Sequence, residues 1–159
     1  MFIQINILLI ILFIELSDDD TETLPITYTT DFWCYPMFRD ISISMGREVP
    51  VGTMGLLIRD EHPALSGFLT REYTTPQWFE AVMNSRAAVL SLEDPQPVIS
   101  VIDNFDRSEK LALLYEKISG GQKTLYCTID LEKLALSGDM PSYYLAKSIF
   151  EYLRAGEKN

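Results

Sequence analysis

Apolar residues along the chain fall into blocks of different period, and each period predicts a different element. Residues 7–14, ILLIILFI, are apolar without interruption. An Ile/Leu-rich run without alternation is the pattern of a strand buried on both faces of a parallel sheet. Ser17 to Thr23 then reads as its acidic exit loop. The run is short of the roughly 20 residues that a membrane-spanning helix needs. A signal peptide is the competing reading, but it requires basic residues before the apolar run and small residues after it. Here Gln4 and Asn6 precede the run, and Glu15 and Asp18 to Asp20 follow it. Residues 1–24 therefore read as an apolar strand, or remnant leader, plus an acidic linker, and 25–159 as the body of a single domain.

Thr75 and Pro76 form an N-cap and first-turn pair, and Phe79, Val82, Met83 and Arg86 follow at i, i+3, i+4 and i+7. This spacing predicts a helix with three apolar side chains on the core. A second helix opens at Pro141, where Leu145, Ile149, Tyr152 and Leu153 repeat at i, i+4, i+7 and i+8 and Gly156 ends the run. Residues 87–92, 98–102 and 124–129 are short apolar or β-branched runs bounded by turn formers, and they predict strands. Residues 110–118, KLALLYEKI, favour helix by composition but lead into Ser119-Gly120-Gly121-Gln122. That hairpin signal predicts a strand against local propensity. Residues 49–59 read as a loop into another short strand, with Gly52 and Gly55 permitting close backbone approach. His62-Pro63 predicts a turn into a short helical piece. Strands separated by helices imply a mostly parallel sheet covered on both faces, with the late hairpin as an antiparallel addition at one edge.

Composition narrows the class. The chain has 159 residues, 47% of them hydrophobic and 23% charged, which suits one globular domain with a core. Thirteen Lys+Arg against 23 Asp+Glu give a net charge of −10, which repels phosphate backbones and argues against a nucleic-acid partner. Six of the acids lie in residues 1–38, where no Lys or Arg occurs, so the rest of the chain is far closer to balance. Cys34 and Cys127 form neither a disulfide framework nor a zinc-ligand set and read as buried thiols.

Candidate chemistry is sparse. A nucleophilic triad has one possible base, His62, with Cys34, Cys127 or a serine as nucleophile, yet no G-x-S-x-G or G-x-C-x-G elbow occurs. A histidine before a proline also suits a hydrogen bond that fixes the loop. There is no H-E-x-x-H and no spaced ligand cluster, so no metal or other cofactor is expected. Asp103 and Asp106 in IDNFDR could pair as the two carboxylates of glycoside hydrolysis. At a strand end and in a turn, the same residues serve as caps for backbone amides. Asp103 and Asn104 remain ligand-site candidates, because open α/β sheets bind ligands at the carboxyl ends of strands. Phe32, Trp33, Tyr35 and Phe38 set four rings within seven residues. One small core does not take them all, so some contact a ligand or another chain, or lie half-buried under a loop.

Five segments together resemble a known family: DFWCYPMF at 31–38, PVGTMGLLI at 50–58, HPAL at 62–65, TPQWFEAVMNSR at 75–86 and VIDNF at 101–105. They look like the C-terminal region of bacterial glycoside hydrolase family 2 proteins, the β-galactosidase-like enzymes with a sugar-binding domain. The likeness spans residues 31–154. It departs from the family pattern at Trp78-Phe79, where the family has two adjacent tryptophans, and residues 1–24 have no counterpart. The resemblance implies an α/β domain, a flavodoxin-like or class I glutamine-amidotransferase-like three-layer sandwich without the amidotransferase nucleophile. It also implies a non-catalytic accessory role, with the two-carboxylate retaining hydrolysis of β-glycosides carried out on a separate barrel. On that reading Trp33, Tyr35, Phe38 and Trp78 pack on the catalytic domain or stack on sugar rings, and Asp31, His62 and Asp103 add polar contacts. The implied partners are a glycosidase catalytic domain or carbohydrate, with no membrane span, and a periplasmic or secreted location follows the parent family. The rival expectations are a small Cys/His hydrolase or amidotransferase-like enzyme, and a protein-interaction module.

Overall fold

The computed structural model describes residues 21–26, 40–41, 43–46, 55–104, 107–119 and 122–156. The expected strand at 7–14 and the aromatic segment 31–38 lie outside the described residues. Among the described residues six strands form one sheet: β1 (Thr23–Pro25), β2 (Leu56–Ile58), β3 (Arg86–Leu90), β4 (Ile99–Val101), β5 (Lys110–Ser119) and β6 (Gln122–Cys127). Their order is β1-β3-β5-β4-β2, with β6 also paired to β5. Every one of these pairings is antiparallel. The mostly parallel, flavodoxin-like three-layer sandwich expected from the sequence is thus overturned.

The connections supply the physical reason. Parallel neighbours need a crossover of about a dozen residues or more, usually a helix. Residues 102–109 alone join β4 to β5, and residues 120–121 join β5 to β6, so in each pair the chain returns antiparallel. Nor is the hairpin an edge addition. β5 bonds β3 through Lys110 to Ala112, β4 through Leu111 to Leu114 with a bulge at Ile99/Ser100, and β6 through Leu114 to Ser119. Leu111, Leu113 and Leu114 are fully buried there, and that burial overrides the helix-favouring composition of the segment.

Among the described residues, the helices α1 (Phe79–Met83), α2 (Leu131–Leu136) and α3 (Met140–Gly156) pack on the sheet. Val82 from α1, Leu131 and Leu134 from α2, and Leu145 and Ile149 from α3 all join one core cluster. Along β3 the side chains alternate, with Ala87 and Val89 toward that cluster and Ala88 and Leu90 in a second one with Ala112 and Tyr115. The described helices therefore cover one face of the sheet, where both faces were expected to carry them. None of them is long and apolar enough to cross a membrane.

The spacing predicted for α3 matches its packing, with Leu145 and Ile149 buried and Tyr152 and Leu153 half-buried. The helix predicted from Thr75 differs by one position. Thr75 makes no side-chain cap; Pro76 opens a 3-10 turn, Pro76–Trp78, and α1 continues it only to Met83 before Arg86 begins β3. The buried face is Trp78, Ala81 and Val82, whereas Phe79 and Met83 are exposed. Trp78 has no solvent exposure, meets Phe68 edge-on at 5.1 Å, and donates its ring N–H to Thr70 Oγ1 at 3.1 Å. Trp78→Ala should remove about 3–5 kcal/mol of stability. Urea unfolding reads this as a lowered midpoint, and an unchanged midpoint would contradict a core position for Trp78.

Candidate functional site

Three elements distant in sequence bring titratable side chains together around His62. Pro63 restrains His62 to extended backbone (φ −66°, ψ 133°), so His62 precedes the 3-10 turn Pro63–Leu65 as its N-cap. Its Nδ1 accepts the Ala64 N–H at 3.2 Å. An accepting Nδ1 carries no proton, which assigns the proton of the neutral ring to Nε2. Nε2 lies 3.5 Å from Glu116 Oε2 on β5, and Tyr152 on α3 donates its hydroxyl to Glu116 Oε1 at 2.5 Å. The His62 and Tyr152 rings meet edge-on at 5.6 Å. Both His62 and Glu116 are largely shielded, with 7% and 17% of their side chains exposed.

The same turn is fastened to α3 a second time. Ser148 accepts the Gly67 N–H at 2.9 Å and donates to the Ala64 carbonyl at 2.8 Å. Beside the turn, an open recess of about 440 Å³ is lined by Ile58, Arg59, Asp60, Glu61, His62, Pro63 and Glu72. Its walls carry the charged Arg59, Asp60, Glu61 and Glu72 beside Ile58, His62 and Pro63, with no Phe, Tyr or Trp among them.

Asp103 and Asn104 lie elsewhere, where β4 leads toward β5. Asp103 Oδ1 accepts from the Asn104 N–H and Arg107 Nη2, and Oδ2 from Arg107 Nε and the Glu109 N–H, at 2.7–3.0 Å. Asn104 Oδ1 accepts the Arg107 N–H, and the Asn104 carbonyl accepts the Ser108 N–H. Burial by itself raises the pKa of Asp103, but the Arg107 side chain, the two backbone amides and the Arg107 charge together hold it below 3.8. Asp103 accepts the Asn104 and Glu109 amides, as the amide-capping alternative has it for that residue. Asp106 lies outside the described residues.

The remaining candidates separate in the same way. Trp78 is interior and its ring faces are covered. Burial pushes the Cys127 thiol up to about 12, so it is not a thiolate near neutral pH. Asp31, Trp33, Cys34, Tyr35 and Phe38 lie outside the described residues. No group of His, Cys, Asp and Glu suited to a metal ion occurs among the described residues. Glu116 and Tyr152 escaped sequence reasoning because nothing local marks them. Tyr152 stood in the predicted helical stripe as an apolar member, and Glu116 entered only among the helix-favouring residues of 110–118.

Residues 8–159 match the model of a protein family described as a domain of unknown function, DUF8487. No curated protein matches the chain.

Asp103→Asn should cost about 2 kcal/mol at neutral pH, because hydrogen bonds to a charged acceptor are lost. A carboxylate whose pKa is lowered on folding stabilises above its unfolded value and ceases to as pH falls through the folded one. The stability difference between the two chains, read by urea unfolding, should therefore shrink below pH 3.8. A difference independent of pH would contradict the role given to Asp103.

Proposed function

The chain belongs to the DUF8487 family of domains of unknown function, and we propose that it works as a non-catalytic accessory domain packing on the catalytic part of a family 2 glycoside hydrolase. The observation that carries this reading is that the described candidates for chemistry are engaged inside the fold. Asp103 holds a loop, Trp78 fills the core, His62 caps a turn and the Cys127 thiol stays protonated. The surface instead presents apolar side chains at the β2 edge. Leu57 and Tyr73 pair across an antiparallel bridge with 55% and 62% of their surface exposed, and Leu69 nearby in the chain is exposed as well. Exposed apolar groups set side by side suit packing against another protein surface. The resemblance of five segments between residues 31 and 105 supports the choice of partner. Trp78 lies wholly inside the domain and takes part in neither partner packing nor sugar stacking.

Calorimetric titration separates the outcomes. The chain is titrated with galactose, lactose and longer β-linked oligosaccharides, and with the catalytic part of a family 2 β-galactosidase from the same source. Packing predicts saturable heat from the protein and none from the sugars, with affinity at least about tenfold weaker for Tyr73→Asp, the size of effect expected at a buried aromatic contact. Saturable heat from a sugar would replace this reading with carbohydrate binding, and silence from the catalytic part would overturn it.

A further inference from the structure

The His62 cluster carries an inference that does not depend on the packing role. His62 is the only histidine of the chain. Both of its ring nitrogens are engaged, Nδ1 by the Ala64 N–H and Nε2 by the approach of Glu116. An imidazole held in this way is poorly arranged as a general base, since the lone pair that would take a proton from a substrate already accepts a backbone amide. The same lone pair is where an added proton must go.

We propose that His62, Glu116 and Tyr152 form a proton-responsive latch, in which protonation of His62 at Nδ1 releases the Ala64 N–H and loosens the Pro63–Leu65 turn. The proton comes from solvent through the recess that His62 helps to line. Once Nδ1 carries it, two N–H groups face each other across the 3.2 Å that was a hydrogen bond, and the N-cap is lost. Glu116 on β5 acts in the same sense, because a neighbouring carboxylate favours the charged imidazole. Its carboxylate, 3.5 Å from Nε2 and anchored by the Tyr152 hydroxyl from α3, attracts the imidazolium and keeps the ring in place while the turn lets go. Arg59, Asp60, Glu61 and Glu72 are the other charged groups lining the recess. Ser148 holds the Ala64 carbonyl and the Gly67 N–H through groups that do not titrate near neutral pH, so the opening is confined to the start of the turn. What changes is the wall of the recess at His62 and Pro63.

Hydrogen exchange at the Ala64 amide reads the latch directly. Between pH 7.5 and 5.5, spanning the ordinary histidine range of about 6.5, exchange corrected for its intrinsic pH dependence should accelerate about fivefold, the worth of one N-cap. His62→Asn supplies an acceptor that does not titrate, and its Ala64 amide should stay protected throughout. Glu116→Gln removes the carboxylate that favours the imidazolium, and its Ala64 acceleration should set in at lower pH than in the unmodified chain. In the unmodified chain the ring signals of the single histidine should titrate with the same midpoint as the Ala64 acceleration. A flat Ala64 response, separate midpoints, or the same acceleration in His62→Asn would overturn the latch. An identical response in Glu116→Gln would overturn the part given to Glu116.

Discussion

Antiparallel pairing on β5 is the constraint on which the rest of the fold depends. This strand bonds three others, and its leucines lie at the centre of the main core. Buried backbone amides and carbonyls have to be paired, and here the neighbouring strands pair them while helices cover the leucine face. The strand also runs on past the core to Glu116, which it delivers beside the 62–65 turn and the closing helix. A shift of register by one residue would send Glu116 to the other face and separate the three members of that cluster.

Several polar side chains among the described residues fasten loops in place. Thr74 Oγ1 accepts the Leu56 N–H at 2.6 Å where β2 begins, and the Gly55 carbonyl accepts the Ile102 N–H on the other side. Gly55 is required at that junction: its φ is +115°, and a Cβ would come within 2.9 Å of Thr74 Oγ1. Asp103 at the β4–β5 loop, Thr70 beneath Trp78 and Ser148 beneath the 62–67 turn act by the same principle, each giving a partner to a polar group removed from water. These polar groups are engaged within the fold, and the apolar Leu57–Tyr73 pair faces outward.

Local features were legible in the sequence where one rule dominated. The Gly120-Gly121 turn marked β5 and β6 correctly against the composition of residues 110–118, and the 3.6-residue period of 145, 149, 152 and 153 located α3. The close approach at Gly55 was readable as well. Strand direction was not, because alternation of strands and helices along the chain does not record which strands become neighbours, and β5 inserts between β3 and β4. The face of α1 was missed by one position because the 3-10 turn at Pro76 rotates the chain before the helix begins. Of the candidate site, His62 was visible as a single histidine before proline, while Glu116 and Tyr152 join it only through the tertiary fold.

Native-state hydrogen exchange along β5 tests the central claim most directly. If β5 organises the sheet, the amides from Leu111 to Leu114 exchange only when the whole domain unfolds, and their opening free energy equals the unfolding free energy from urea titration. Opening at clearly lower free energy, with the helices still protected, would show that the fold does not depend on this strand.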